Sequence, residues 1–185
     1  MTWNLLITAQ RFESRQAREQ LKDLCNLDVE GTPFRDVMVA YCSDPRAAFE
    51  TIKGAMTAPL RPGAPQFLPA FSRIVPLEEV FAVTPDGLLA ELIKRVVPFA
   101  ARIVSGSSFA VRVERRGSKG TLNSSQLERQ VAEQLYNQLA KAGPKPIVNL
   151  EDPDYLLTVQ ILGNECGIGL IDRAMRTTYP FVRLR

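Results

Sequence analysis

The sequence predicts a mixed α/β chain of α+β type, in two parts divided near residue 84. Three observations carry this. Strand and helix signals follow the order βαββαβ over residues 1–84. Thr84-Pro85-Asp86 then reads as a fresh helix start. From there to residue 185, helix and strand signals begin again and end on three strand-like runs. A chain of 185 residues is long enough for two small domains, each with a modest core.

The elements of the first part follow from periodicity and punctuation. Trp3 to Thr8 (WNLLIT) is a short apolar, β-branched run suited to a buried strand. Ser14 is placed to cap a helix that carries Ala17, Leu21, Leu24 and Cys25 at helical spacing and stops before Asn26. A hairpin-like stretch follows, Leu27 to Glu30, then Gly31-Thr32-Pro33, then Arg35 to Cys42. Asp44-Pro45 opens a second helix, with Ala48, Phe49, Ile52 and Met56 inward. Residues 58–69 hold four prolines and one glycine, which excludes a helix or a central strand. A strand-like run from Phe71 to Val83 closes the unit. βαββαβ is the split βαβ arrangement of a ferredoxin-like domain, expected over residues 1–84.

In the second part, Leu88, Leu89, Leu92, Ile93, Val96 and Val97 give a helix a broad apolar face up to Pro98, with a short helical piece over Phe99 to Val104. Ser107 to Arg115 alternates Phe109, Val111 and Val113 against Ala110, Arg112 and Glu114, a strand with one wet face. Arg116 to Thr121 (RGSKGT) is a basic loop. Ser125 and Glu128 match a capping box for a helix with Leu127, Val131, Leu135 and Leu139 inward, closed by Gly143-Pro144. Strands are expected at Pro146 to Leu150, Tyr155 to Leu162 and Glu165 to Ile171, the last two joined by a tight turn at Gly163-Asn164.

Composition narrows the chemistry. The apolar fraction of 45% and charged fraction of 23% are those of an ordinary globular protein, and no apolar run is long enough to span a bilayer. There is no histidine, which removes Ser-His and Cys-His nucleophile pairs and nearly every catalytic zinc site. Three widely spaced cysteines and no CxxC argue against a disulfide framework or a structural zinc, and for a cytoplasmic setting without a leader peptide. The net charge of +3 is uneven. Residues 1–98 carry 11 basic against 12 acidic groups, and residues 99–185 carry 12 against 8. A basic second half is the distribution expected where one part of a chain meets a polyanion.

The candidate surface is Arg112, Arg115, Arg116 and Lys119, with Arg129 on the following helix. Guanidinium forks beside a glycine-containing loop and a capped helix suit phosphate oxygens. Gly117 and Gly120 let backbone approach an anion, and Ser118, Ser124 and Ser125 add hydroxyls. The alternative is a solvated, charged strand end. The loop lacks the GxxxxGK(S/T) spacing of a P-loop, and Gly163, Gly167 and Gly169 do not lead a strand into a helix as a dinucleotide fingerprint must. Glu151-Asp152-Pro153-Asp154 reads as a turn rather than a metal site. Tyr179 and Phe181, near Arg173, Arg176, Arg183 and Arg185, are candidates to stack on unpaired bases. A small enzyme holding an anionic or phosphorylated metabolite at residues 117–120 is the rival reading.

Several of these pieces, in this order, resemble a known family. Phe109-Ala-Val-Arg-Val-Glu-Arg-Arg116, the helix opening Ser-Ser-Gln-Leu, Val148-Asn-Leu-Glu-Asp-Pro-Asp154 and the hairpin VQILGNECGIGL together resemble the THUMP domain. Arg73-Ile-Val-Pro-Leu-Glu-Glu-Val80 and the helix from Pro85 resemble the segment joining an N-terminal ferredoxin-like domain to it. The likeness covers residues 70–172, and the first 70 only through topology. Within the family it is similar to stand-alone THUMP adaptors of tRNA cytidine acetylation.

The resemblance implies tRNA binding, with the two domains gripping the acceptor stem and 3′ end and delivering the tRNA to a modification active site. In many members that site sits on an appended catalytic domain, and these 185 residues contain none. The expectation is therefore an adaptor that is not itself an enzyme, with a ferredoxin-like domain at 1–84 and a THUMP domain at 85–185. It would work in the cytoplasm with tRNA and a separate tRNA-modifying enzyme, without cofactor, metal or membrane. RNA contact is implied at Arg112, Arg115, Arg116 and Lys119, extending to Arg173 and Arg176 in the last hairpin and tail. Arg115 and Arg116 are adjacent on a strand, so they face opposite sides.

Overall fold

The computed structural model describes residues 3–59, 66–117 and 123–184. The elements run β1 (Leu5–Ala9), α1 (Ser14–Cys25), β2 (Val29–Gly31), β3 (Val37–Ala40), α2 (Pro45–Thr57), β4 (Phe71–Pro76) and β5 (Glu79–Ala82). They continue α3 (Leu88–Ala100), β6 (Ser108–Arg116), α4 (Ser124–Ala142), β7 (Ile147–Val148), β8 (Tyr155–Leu162), β9 (Glu165–Asp172) and α5 (Arg173–Thr178). Two compact units result: Met1–Pro76 with Met175–Arg185, and Leu77–Ala174.

The first unit is a four-stranded antiparallel sheet in the order β2-β3-β1-β4, which is the ferredoxin-like arrangement expected from the order of elements. β1 is central and its apolar run is buried. α1 and α2 bury the residues their spacing marked: Ala17 and Leu21, then Ala48, Phe49 and Ile52. Asp44 caps α2 by accepting from the Ala47 N–H at 3.0 Å, with Pro45 in the first turn. α1 ends at Asn26 in a left-handed conformation, φ 52°, as a short polar side chain allows. Its start differs from expectation: Ser14 is inside the helix, and its hydroxyl donates to Asp36 rather than capping.

Two further differences set the division of the chain. The run from Phe71 to Val83 is two strands in separate sheets: β4 pairs with β1, whereas β5 pairs with β9. Between them, the Glu78 N–H donates to Ile168 and the Glu78 carboxylate accepts from the Leu170 N–H, which ties this segment to β9. The break therefore falls after Pro76 rather than at 84. The C-terminal segment also belongs to the first unit. Ile74 donates its N–H to Phe181 O at 2.9 Å, and Tyr179, Phe181 and Val182 are buried.

The second unit is a five-stranded sheet in the order β5-β9-β8-β6-β7, with β6 parallel to β7 and β8 and the other pairs antiparallel. α3 and α4 supply Leu88, Leu92, Val96, Phe99, Leu127, Val131 and Leu135 to a core completed by Val111, Val113, Val159, Ile161 and Ile168. α3 runs through Pro98 to Ala100, with Phe99 buried in the turn beyond the proline. The tight turn expected at Gly163-Asn164 joins β8 to β9, and Gly163 takes a φ of 63°. No helix among the described residues is long and apolar enough to cross a membrane.

Candidate nucleic-acid interface

β6 presents two chemically different faces. Val111, Val113 and Arg115 share one with Leu157, Val159 and Ile161 of β8, the face that packs on α3 and α4. Arg112, Glu114 and Arg116 share the other with Thr158, Gln160 and Leu162. The alternation read from the sequence thus holds, and Arg115 and Arg116 do point to opposite sides.

The two arginines of the polar face are engaged within the fold. Arg116 is 14% exposed, donates to Gln160 Oε1 at 3.0 Å and pairs with Glu114 at 3.3 Å. Gln160, fully buried, passes its own Nε2 to Thr158 Oγ1 at 3.0 Å. Arg112 donates to the Leu150 carbonyl at 2.7 Å and lies 3.4 Å from Glu128. These contacts satisfy the polar groups that burial would otherwise penalise. Arg116 therefore links β6 to β8, and Arg112 ties β6 to α4 and to the segment after β7, so that neither stands out as a free phosphate clamp.

Glu128 has a role that the capping-box reading missed. β7 pairs with β6 at Ser108 and Phe109, and farther along this edge β6 has no strand partner among the described residues. Glu128 Oε2 accepts the Val113 N–H at 2.9 Å across that edge. The cap of α4 is Asn123, whose side chain accepts from the Gln126 N–H at 3.1 Å. Glu128→Ala is expected to destabilise the protein by about 2 kcal/mol, the range for a hydrogen bond to a charged group. Urea unfolding of Glu128→Ala beside Glu128→Gln, which keeps an acceptor, measures it; equal midpoints would remove the edge-capping role.

Gly117 takes a φ of 90°, a conformation that favours glycine. Ser125 and Arg129 are exposed on the first turns of α4, and Arg129 has no hydrogen bond or ion pair among the described residues. Ser118, Lys119 and Gly120 lie outside the described residues. Arg115 is half-buried at the strand end.

The remaining expected contacts are dispersed. Arg173 pairs with Asp152 at 3.2 Å and with Asp154 at 3.1 Å. Asp154 also accepts from the Ser108 N–H at 2.8 Å and the Ser108 hydroxyl at 2.7 Å. The acidic turn thus works as a clamp between β6, β8 and Arg173. Arg176 is half-buried on α5, and Arg183 donates to Ser72 O at 3.1 Å. Tyr179 and Phe181 are corrected from stacking candidates to core residues, each 3% exposed and edge-on to Phe49 at 5.5 Å.

The thiols offer no activated nucleophile. Burial pushes Cys166 up to about 12, and burial also raises Cys25 and Cys42 above the usual thiol value, so thiolate is disfavoured at all three. Among the described residues, no group of three acidic or thiol side chains is placed to hold a metal ion. The sequence reading gave no role to Arg11, Phe12 and Arg35, which meet on the first unit. The one signal was an aromatic off the apolar spacing of the helix that follows it.

A family model described as the THUMP domain matches residues 89–171. No curated protein matches the chain. Among solved structures the chain is similar to TrmN from Thermus thermophilus, at 19% identity and a TM-score of 0.63, over 90% of this chain and 44% of that one. It is similar to PH1313 from Pyrococcus horikoshii Ot3 at 10% identity and a TM-score of 0.59, over 92% and 55%. A 4-thiouridine synthetase in a complex with RNA and bound ATP matches at 9% identity and a TM-score of 0.54, over 92% and 41%. At these identities the likeness is one of fold, and the chain spans about half the length of these structures. The expectation of a protein that is not an enzyme is overturned by this comparison. The synthetase is an enzyme, and its matching portion covers nearly the whole of this chain.

Proposed function

We propose that this protein binds tRNA and acts in tRNA modification, gripping the acceptor stem and 3′ end and presenting the tRNA to a modification active site. The match of residues 89–171 to the THUMP domain carries the reading, since THUMP domains are associated with tRNA binding and modification. The geometry supports it at one place: Gly117 at the end of β6, and exposed Ser125 and Arg129 on the first turns of α4. Arg112 and Arg116 support that strand from within the fold, and Lys119, Arg115 and Arg129 are the groups proposed to reach phosphate. The specific form is the one the sequence resemblance names: a separate tRNA-modifying enzyme receives the tRNA and acetylates a cytidine, in the cytoplasm.

The expected result is tRNA binding of roughly micromolar strength that weakens steeply with salt. Lys119→Ala with Arg129→Ala should weaken it and flatten the salt dependence by about one unit of slope per phosphate contact removed. Filter binding at a series of salt concentrations measures both. Identical affinities and slopes for the double variant and the wild type would remove this surface. Removing the unpaired 3′ end of the tRNA should also weaken binding. Sequencing of modified nucleotides in tRNA from a deletion strain should show one modified cytidine missing.

A further inference from the structure

Phe12 sits between β1 and α1 in an arrangement that folding alone does not explain. Its side chain is 70% exposed, so it adds little to the core. Its φ is 67°, a left-handed conformation in which a bulky side chain crowds its own carbonyl. Glycine or asparagine would meet that turn at lower cost. Two guanidinium groups lie over the same ring, Arg35 at 4.4 Å and Arg11 at 5.0 Å from its centre. Arg35 is itself largely exposed, and its ion pair with Asp36 is long at 3.8 Å.

The backbone beneath is held firmly. Ala9 donates its N–H to Asp36 O at 2.8 Å, and the Ser14 hydroxyl donates to Asp36 Oδ1 at 3.2 Å. Asp36 takes a positive φ as well, 57°, so the turn after β1 and the turn before β3 are pinned together. The backbone that carries the ring is thereby fixed in advance of any ligand, which lowers the ordering cost of binding.

We infer that Arg11, Phe12 and Arg35 form a stacking platform for an unpaired RNA base, which takes the place of a guanidinium over the ring while the guanidinium groups turn to the phosphates beside it. A nucleotide matches this chemistry, because it offers a π face and a negative charge a few ångströms apart. An apolar protein segment does not, because the only large apolar group in the cluster is one ring flanked by two cations. The inference rests on the reading of the protein as an RNA binder and extends that reading to the first unit.

The test uses the full chain, a fluorescein-labelled unpaired RNA pentanucleotide, and whole tRNA. Phe12→Asn should lower pentanucleotide affinity by about 5- to 100-fold, the effect of losing one base–aromatic stack. Its melting temperature should equal or exceed that of the wild type, because asparagine tolerates the left-handed turn. Arg11→Gln with Arg35→Gln should weaken binding and reduce its salt dependence. Unchanged pentanucleotide affinity in Phe12→Asn, with tRNA still bound by the wild type, would overturn the platform and leave the tRNA reading standing. Weaker binding accompanied by a lower melting temperature would overturn it too, since the ring would then be structural. Phe12-dependent binding of the pentanucleotide without binding of tRNA would support the platform and remove the tRNA reading. Binding of neither RNA by the wild type would remove both.

Discussion

Arg116→Ala is expected to lower the stability of the protein by about 2–4 kcal/mol, with the loss appearing as an earlier urea midpoint. The guanidinium is almost enclosed, and it joins the Glu114 carboxylate to Gln160 Oε1. Truncation removes one partner from each and leaves both where water has little access. Glu114 is 16% exposed and Gln160 is wholly buried, so neither can recover its lost hydrogen bond fully from solvent. A double-mutant cycle isolates the cause. In a Glu114→Ala background, Arg116→Ala should cost measurably less, by about 1 kcal/mol or more. Additive losses would show that the pair is not coupled. Measured where both proteins remain folded, tRNA affinity should change far less for Arg116→Ala than for the Lys119 and Arg129 pair.

That contrast shows where sequence reasoning reaches and where it stops. Alternation along residues 109–116 sorted the side chains onto two faces correctly, because period two is a property of any strand. It could not say what lies on the polar face. Gln160 and Thr158 stand on β8, more than forty residues away, and are brought opposite Glu114 and Arg112 only by parallel pairing. Once there, they turn a basic stretch that looked solvated into an internal network. The same limit applies to Glu128, whose match to a capping box was real in the sequence but whose carboxylate goes to a strand edge that topology leaves bare.

Helices were legible for the opposite reason. Their apolar faces repeat locally, and Asp44-Pro45 marks a start by chemistry confined to one turn. The order of the first six elements led to the correct sheet order, since few connections satisfy it. The failures fall where distant partners decide. Phe71 to Val83 looked continuous, and only the pairing of β5 with β9 divides it. The tail read as exposed because nothing near it in sequence could bury it, although Phe49 and Phe71 do.

Tyr179→Ala is the sharpest test of that reassignment, with an expected loss of about 3–5 kcal/mol, the range for deleting a large buried aromatic. The ring packs against Phe49 and Phe181, and its hydroxyl donates to Glu50 at 2.6 Å. A residue that stacks on RNA would behave differently: its loss would weaken binding and leave thermal unfolding unchanged. Tyr179→Phe separates ring from hydroxyl and should cost about 1 kcal/mol. It should also change the dependence on pH. The hydrogen bond to the Glu50 carboxylate, and then burial, hold the phenol above its ordinary value of 10.0, with Arg46 pulling weakly the other way. Below pH 10 the phenol is protonated in both folded and unfolded chains, so its contribution is fully present. As pH rises past 10 the unfolded chain ionises first, and that contribution is lost until the raised folded value is passed. The wild type should therefore lose stability more steeply than Tyr179→Phe on the alkaline side, while the two run parallel from neutral pH to about 9. Parallel curves throughout would mean that the hydroxyl is not held by Glu50 in solution.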